Sequence, residues 1–236
     1  MEQFKRYALY YAPESGSDLA DFGNHWLGHC PDSGNRLEHK PIIGLAPSQI
    51  DQITKVPARY GFHATLKPPF HLAADRSLEE LEAQLTTISR GLTGFSIPGF
   101  QISRIGDFLA LTPAKPVPEL RQLSDRLVVE LDSFRAPPNE AELARRRKKR
   151  LTARQEQLLD QWGYPYVMEE FKFHMTLTGP LGAVELSRLR SILFSKIEHL
   201  LYRPASVGEV CLFGDPGGGP PFRLIRRYPF SAAIAA

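Results

Sequence analysis

Two distant stretches of this chain read alike: Arg59-Tyr60-Gly61-Phe62-His63-Ala64-Thr65-Leu66-Lys67 and Phe171-Lys172-Phe173-His174-Met175-Thr176-Leu177-Thr178. Each runs aromatic, His, any residue, Thr, Leu. Aromatic and β-branched residues ahead of a proline predict a strand in both places. Side chains on a strand alternate between faces, so residues two apart point the same way. His63 and Thr65 therefore share a face, with Lys67 in register. His174 and Thr176 share one too, with Lys172. The opposite faces carry Phe62, Ala64 and Leu66, and Phe173, Met175 and Leu177, which suit a buried core. Twice, then, a strand is expected to present an imidazole and a hydroxyl together, away from the core.

The remaining pattern is that of an alternating α and β chain. Tyr7 to Ala12 reads as a strand stopped by Pro13, and Asp18 to Leu27 as a helix capped by Ser17 or Asp18. Residues 28–58 read as a long loop, with a short helix near Pro47 to Thr54. Ser77 and Glu80 form a capping box ahead of a helix carrying Leu78, Leu81, Leu85 and Ile88. Phe95 to Ile105 and Phe108 to Leu111 read as a hairpin turning at Gly106-Asp107. Further helices are expected over Pro118 to Phe134, Glu140 to Trp162 and Val184 to Tyr202, and strands over Val207 to Phe213 and Phe222 to Phe230. Helix followed by strand pair thus recurs after each His-x-Thr strand, as an internal duplication would produce.

The two motifs, with the opening Arg6-Tyr7-Ala8-Leu9-Tyr10-Tyr11-Ala12-Pro13, resemble the signature of the 2H phosphoesterase superfamily. The layout is similar to a subfamily associated with bacterial phosphonate-utilisation operons. The resemblance implies a single bilobal α+β domain over residues 1–236, with two antiparallel sheets flanking a central groove and helices outside. Residues 137–165 would then be a charged helical insertion. It also implies action on cyclic phosphates or 2′-5′ phosphodiesters, with no metal and no cofactor.

Histidine suits both proton transfers of such a reaction, because its ordinary pKa is about 6.5. His63, Thr65, His174 and Thr176 are the expected catalytic set, the hydroxyls donating to phosphoryl oxygens. Lys67, Lys172, Tyr60, Tyr7, Tyr11 and Arg6 are candidate substrate contacts. The run Arg145-Arg146-Arg147-Lys148-Lys149-Arg150 reads first as a solvated helix face, and alternatively as a lid or an RNA contact. His25, His29, Cys30 and His39 match no zinc spacing, so no metal site is expected. The glycine-rich stretch at 214–221 lacks the Lys-Ser/Thr of a nucleotide-binding loop and reads as a wide turn.

With 236 residues and 42% hydrophobic content, the chain can bury a proper core. Two cysteines are too few for a disulfide framework, no signal-peptide pattern is seen, and no apolar run reaches ~20 residues. The expectation is a cytoplasmic enzyme with a small phosphorylated substrate, no membrane contact and no obligate protein partner. RNA-end processing, and a non-catalytic module that captures a phosphorylated ligand, stand as alternatives.

Overall fold

The computed structural model describes residues 4–231. The first half runs β1 (Arg6–Tyr11), α1 (Asp18–Leu27), α2 (Pro47–Ala58), β2 (Ala64–Phe70), α3 (Leu78–Arg90), β3 (Phe95–Ile97), β4 (Phe100–Ile105) and β5 (Phe108–Pro113). Then come α4 (Pro118–Glu130), α5 (Glu140–Arg147), α6 (Ala153–Trp162), β6 (Met175–Thr176), α7 (Ala183–Leu201), β7 (Ala205–Val207), β8 (Glu209–Asp215) and β9 (Arg223–Pro229). The chain is α+β with antiparallel sheets. Seven strands lie in the order β4-β5-β6-β2-β1-β8-β9, and β3 pairs with β7 separately. The sheets expected on either side of a groove are two halves of this one sheet. They join where β2 meets β6, along the rung Ala64↔Met175.

Ser77 and Glu80 form the expected reciprocal cap: Glu80 N donates to Ser77 Oγ at 3.2 Å, and Ser77 N to Glu80 Oε2 at 2.8 Å. Leu81, Leu85 and Ile88 of α3 are buried in the core, as are Leu186, Leu189, Leu193 and Ile197 of α7. Both motif strands send Ala64, Leu66, Met175 and Leu177 into that same core. The hairpin β4-β5 turns at Gly106, whose φ of +61° suits glycine. Among the described residues, no helix is long and apolar enough to cross a membrane.

Three expectations fail for local reasons. The single helix over Glu140 to Trp162 is two, α5 and α6. Thr152 and Gln155 start the second with a capping box of their own, and Arg147 folds back onto Glu156 at 2.9 Å and Asp160 at 3.0 Å. Six consecutive cations favour the end of a helix but repel one another in its middle. The strand over Phe95 to Ile105 breaks at Pro98-Gly99 into β3 and β4. The motif strands are shorter than expected: β2 begins one residue after His63, and β6 spans only Met175–Thr176.

Lys67 lies away from the histidines. Tyr10 pairs with Thr65, but Leu9 pairs with Lys67, so β2 advances two residues where β1 advances one. This bulge at Leu66 turns Lys67 to the face of Leu9, which is core. Lys67 is 2% exposed, and its Nζ donates to Val128 O, in the last turn of α4, at 3.1 Å. Burial lowers its pKa to about 8. The folded state thus gives up a proton that the unfolded chain keeps to ~10.4, so folding is penalised below about pH 8 and the penalty fades as pH rises toward that higher value. Lys67→Met should melt within ~3 °C of the parent, or higher, at pH 7, a shift of roughly 1 kcal/mol or less. It should also remove the part of the parent's rise in Tm between pH 8 and 10 that this amine supplies. Melting curves at both pH values check this, and equal pH slopes in the two proteins would contradict it.

Candidate active site

The rung Ala64↔Met175 decides what stands beside what. Continuing its antiparallel register puts His63 beside Thr176 and Thr65 beside His174. All four lie on the face opposite Ala64 and Met175, both fully buried in the helix-covered core. The two imidazoles are therefore diagonal neighbours on one surface. The partners around the rung are backbone-anchored. Trp26 of α1 donates its indole N–H to Leu177 O at 2.7 Å, and Ser124 of α4 donates to Leu66 O at 2.7 Å. Thr178 turns inward, accepting from Leu109 N at 3.0 Å.

Each histidine is oriented by the carbonyl two residues before it. His63 Nδ1 lies 3.0 Å from Gly61 O, and His174 Nδ1 lies 2.7 Å from Lys172 O. A carbonyl only accepts, so both Nδ1 atoms carry the proton and each neutral ring presents a bare Nε2. Thr65 Oγ1 donates to His63 Nε2 at 3.3 Å. Gly61 bends the chain into this clamp with φ +74°, a left-handed conformation that a side chain would strain. Phe62, the residue between, packs onto Gly23 of α1, where an added Cβ would fall 1.9 Å from its ring.

Aromatic rings flank both imidazoles. Tyr10 stacks on His63 with centroids 3.8 Å apart and planes at 29°, and Phe108 lies 5.9 Å from the His174 ring. Burial lowers the His63 pKa to about 4, the nearby His174 charge adds to the fall, and the Gly61 bond opposes it. His174 is also lowered by burial, against the Lys172 carbonyl bond. Both rings are thus neutral near pH 7 in the free protein.

The other expected contacts divide by strand parity. Arg6 lies on the same face of β1 as Tyr10 and pairs with Asp215, with Nε–Oδ2 of 3.0 Å. Tyr60 sits 6.1 Å from His63 and 5.0 Å from Phe222, ring to ring. Tyr7 and Tyr11 do not join them. They are 6% and 3% exposed on the core face with Leu9, and Tyr11 packs against Phe173 at 5.4 Å. Lys172 contributes its carbonyl to His174, while its side chain is exposed. Tyr10 is the residue that sequence reasoning missed. Its signal was present: choosing Arg6 on a strand selects Ala8 and Tyr10, not Tyr7 and Tyr11.

The basic run lies at the end of α5 and just beyond it. Of the six consecutive cations, Arg146 alone is partly buried, with its guanidinium 4.4 Å from the Tyr164 ring centroid. The solvated reading holds for the other five, which are exposed. Of His25, His29, Cys30 and His39, His39 is spoken for at both ring nitrogens, by His25 O at 2.9 Å and Asp51 Oδ1 at 3.1 Å. No group of three or more metal-ligating side chains converges among the described residues.

Comparison with known proteins adds the following. Ribose 1,5-bisphosphate phosphokinase PhnN of Janthinobacterium sp. (strain Marseille) is 35% identical over 234 residues, 98% of this chain and 52% of that protein. The protein of the same name from Laribacter hongkongensis (strain HLHK9) is 32% identical over 224 residues, 94% of this chain and 51% of that one. The chain thus spans about half the length of the curated relatives it matches. Among solved structures, E. coli LigT complexed with 3′-AMP aligns over 97% of this chain and 99% of its own, at 14% identity and a TM-score of 0.45. The family described as "Protein of unknown function (DUF1045)" matches residues 65–223, from Thr65 through His174 and Thr176 to Arg223, and the chain belongs to that family.

Proposed function

We propose that this chain is a phosphoesterase of the 2H type that opens a cyclic phosphodiester on a small phosphorylated metabolite. The observation that carries the reading is the pair of carbonyl-clamped imidazoles, each with an unprotonated Nε2 on one shared face. Hydrolysis needs a base for the attacking water and an acid for the departing oxygen. The two environments suggest how to divide the work. His63, held low to about 4, stays unprotonated and takes the water's proton at Nε2. His174, protonated at Nε2 in the reactive form, gives that proton to the leaving alkoxide as its bond to phosphorus breaks. The roles reverse for resynthesis. In this reading the Thr65 and Thr176 hydroxyls donate to non-bridging oxygens, Thr65 leaving His63 Nε2 as it does so.

A ribosyl ring is the favoured carrier, with 5-phosphoribosyl 1,2-cyclic phosphate as the first substrate to assay. The support is the name shared by the relatives, which are called kinases of a ribose bisphosphate. The kinase activity itself is not carried over. This sequence holds no Gly-x-x-x-x-Gly-Lys-Ser/Thr loop, and its glycine-rich stretch joins β8 to β9.

On that substrate, His63→Ala and His174→Ala should each lower kcat by about 10²–10⁴-fold with KM changed only a few-fold. Turnover by neither this ester nor any 2′,3′-cyclic nucleotide in the parent protein would leave a binding module instead. The pH profile of kcat/KM should be a bell on the acid side of neutrality. Its rise tracks the His63 value of about 4, and its fall comes below the ordinary 6.5 of an imidazole, because His174 is lowered. A rate still climbing between pH 7 and 9 would contradict the assignment. Replacing Tyr10 by Leu should cost roughly three- to tenfold in kcat/KM, the worth of one stacked ring, while Tyr10→Phe keeps most activity. Steady-state kinetics of the two variants compare them directly.

A further inference from the structure

Beyond the histidine pair, the same face gathers positive charge that the protein leaves largely unneutralised. Arg6 and Arg59 converge on Asp215, at 2.5 Å and 3.5 Å, and that carboxylate is 2% exposed. Arg59 Nε is buried with no hydrogen-bond partner. Arg146 of α5 leans in from the insertion over Tyr164 and forms no ion pair with a carboxylate among the described residues. Its nearest acid in sequence, Glu142, whose charge bears on Arg146 without an ion pair, also caps Asn139 N and faces His71 at 3.5 Å. Arg6 and Arg59 thus share one carboxylate, and Arg146 is ion-paired to none among the described residues. A partly buried guanidinium without an acid is costly, and arginine's planar fork matches phosphate oxygens.

These charges adjoin the histidines through aromatic rings. Tyr10 stacks on His63, and Tyr60 packs beside the same imidazole. The Arg6 guanidinium lies 5.9 Å from the centroid of Phe222, whose ring packs on Tyr10 and Tyr60. The charge of Arg6 bears on both the Tyr10 hydroxyl and the Arg146 guanidinium. Two rings, Phe222 and then Tyr10 or Tyr60, therefore link the Arg6 guanidinium to the His63 imidazole.

We infer that Arg6, Arg59 and Arg146 form a second anion site, which holds a terminal phosphomonoester of the substrate while the histidines act on its cyclic phosphodiester. This rests on the proposed phosphoesterase reading and narrows it. The preferred substrate carries a second phosphate besides the cyclic ester, and a cyclic ester lacking that phosphate is a poor one. The site also accounts for the insertion, since α5 brings a cation to the groove that the sheet alone does not supply.

Calorimetric titration of the full chain with ribose 5-phosphate tests the site without any turnover. Ribose 5-phosphate should bind at least tenfold tighter than ribose. Arg146→Gln and Arg59→Gln should each weaken it at least fivefold, and Arg146→Lys should lose less than Arg146→Gln. Arg147→Gln, which disturbs only the outward pairs to Glu156 and Asp160, should stay within twofold. Circular dichroism of each variant verifies the fold. Equal affinity of the parent and Arg146→Gln, or an equal loss in Arg147→Gln, overturns the site. The two readings fail separately. Turnover that survives both histidine substitutions sinks the catalytic reading and leaves the titration standing. Histidine-dependent turnover with unchanged titrations sinks the arginine site alone.

Discussion

Everything at the site hangs on one contact between two half-sheets. Strands β6 and β2 meet along a single rung, Ala64 with Met175. Directly opposed side chains on neighbouring strands stand about 5 Å apart, so this rung brings two imidazole–hydroxyl couples into one patch. Slipping β6 by one residue against β2 would turn His174 into the core and expose Met175. That alternative is blocked from the core side: Leu66, Leu177 and Phe173 are all buried there, and Trp26 holds the Leu177 carbonyl. Packing on the hidden face thus specifies chemistry on the open one.

Register alone would leave the rings free to turn. The carbonyls of Gly61 and Lys172 remove that freedom in the same way at both positions. The repeated clamp is the strongest structural echo of a duplication, because it recurs in detail while the surroundings differ. Tyr10 stacks on His63 at 3.8 Å, whereas the ring beside His174, that of Phe108, stands 5.9 Å away. A duplicated device in unequal surroundings gives two histidines with different proton affinities.

Much of this was legible in the chain, and the failures have physical causes. Alternation of polar and apolar residues separated the faces of both motif strands, because a strand's period of two is simple and the buried half is strongly apolar. Caps at Ser17 and Ser77 were readable because their partners lie three residues on. The bulge at Leu66 was not readable, since it is imposed by pairing with β1 and no local residue marks it. Lys67 was misplaced for that reason alone. Tyr7 and Tyr11 were misplaced through neglect of the parity that Arg6 already implied. The break between α5 and α6 was marked by Thr152 and Gln155, but the charge pattern read as one continuous helix. Arg146 could not be told from its five neighbours, because what sets it apart is the Tyr164 ring beneath it.

The sheet order has a consequence for how the molecule is assembled. Hairpin β4-β5, from the first repeat, lies beside the motif strand of the second, and hairpin β8-β9, from the second, lies beside β1 of the first. The repeats have traded hairpins, so neither owns a complete sheet. Arg6 and Asp215, 209 residues apart, close the exchange. During synthesis, β1 must therefore wait, one edge unsatisfied, until almost the whole described chain has left the ribosome. Such distant pairings close slowly, and an open strand edge invites wrong partners in the meantime. A newborn chain of this kind is most exposed to misassociation at the very strand that later supplies Tyr10 beneath the first histidine.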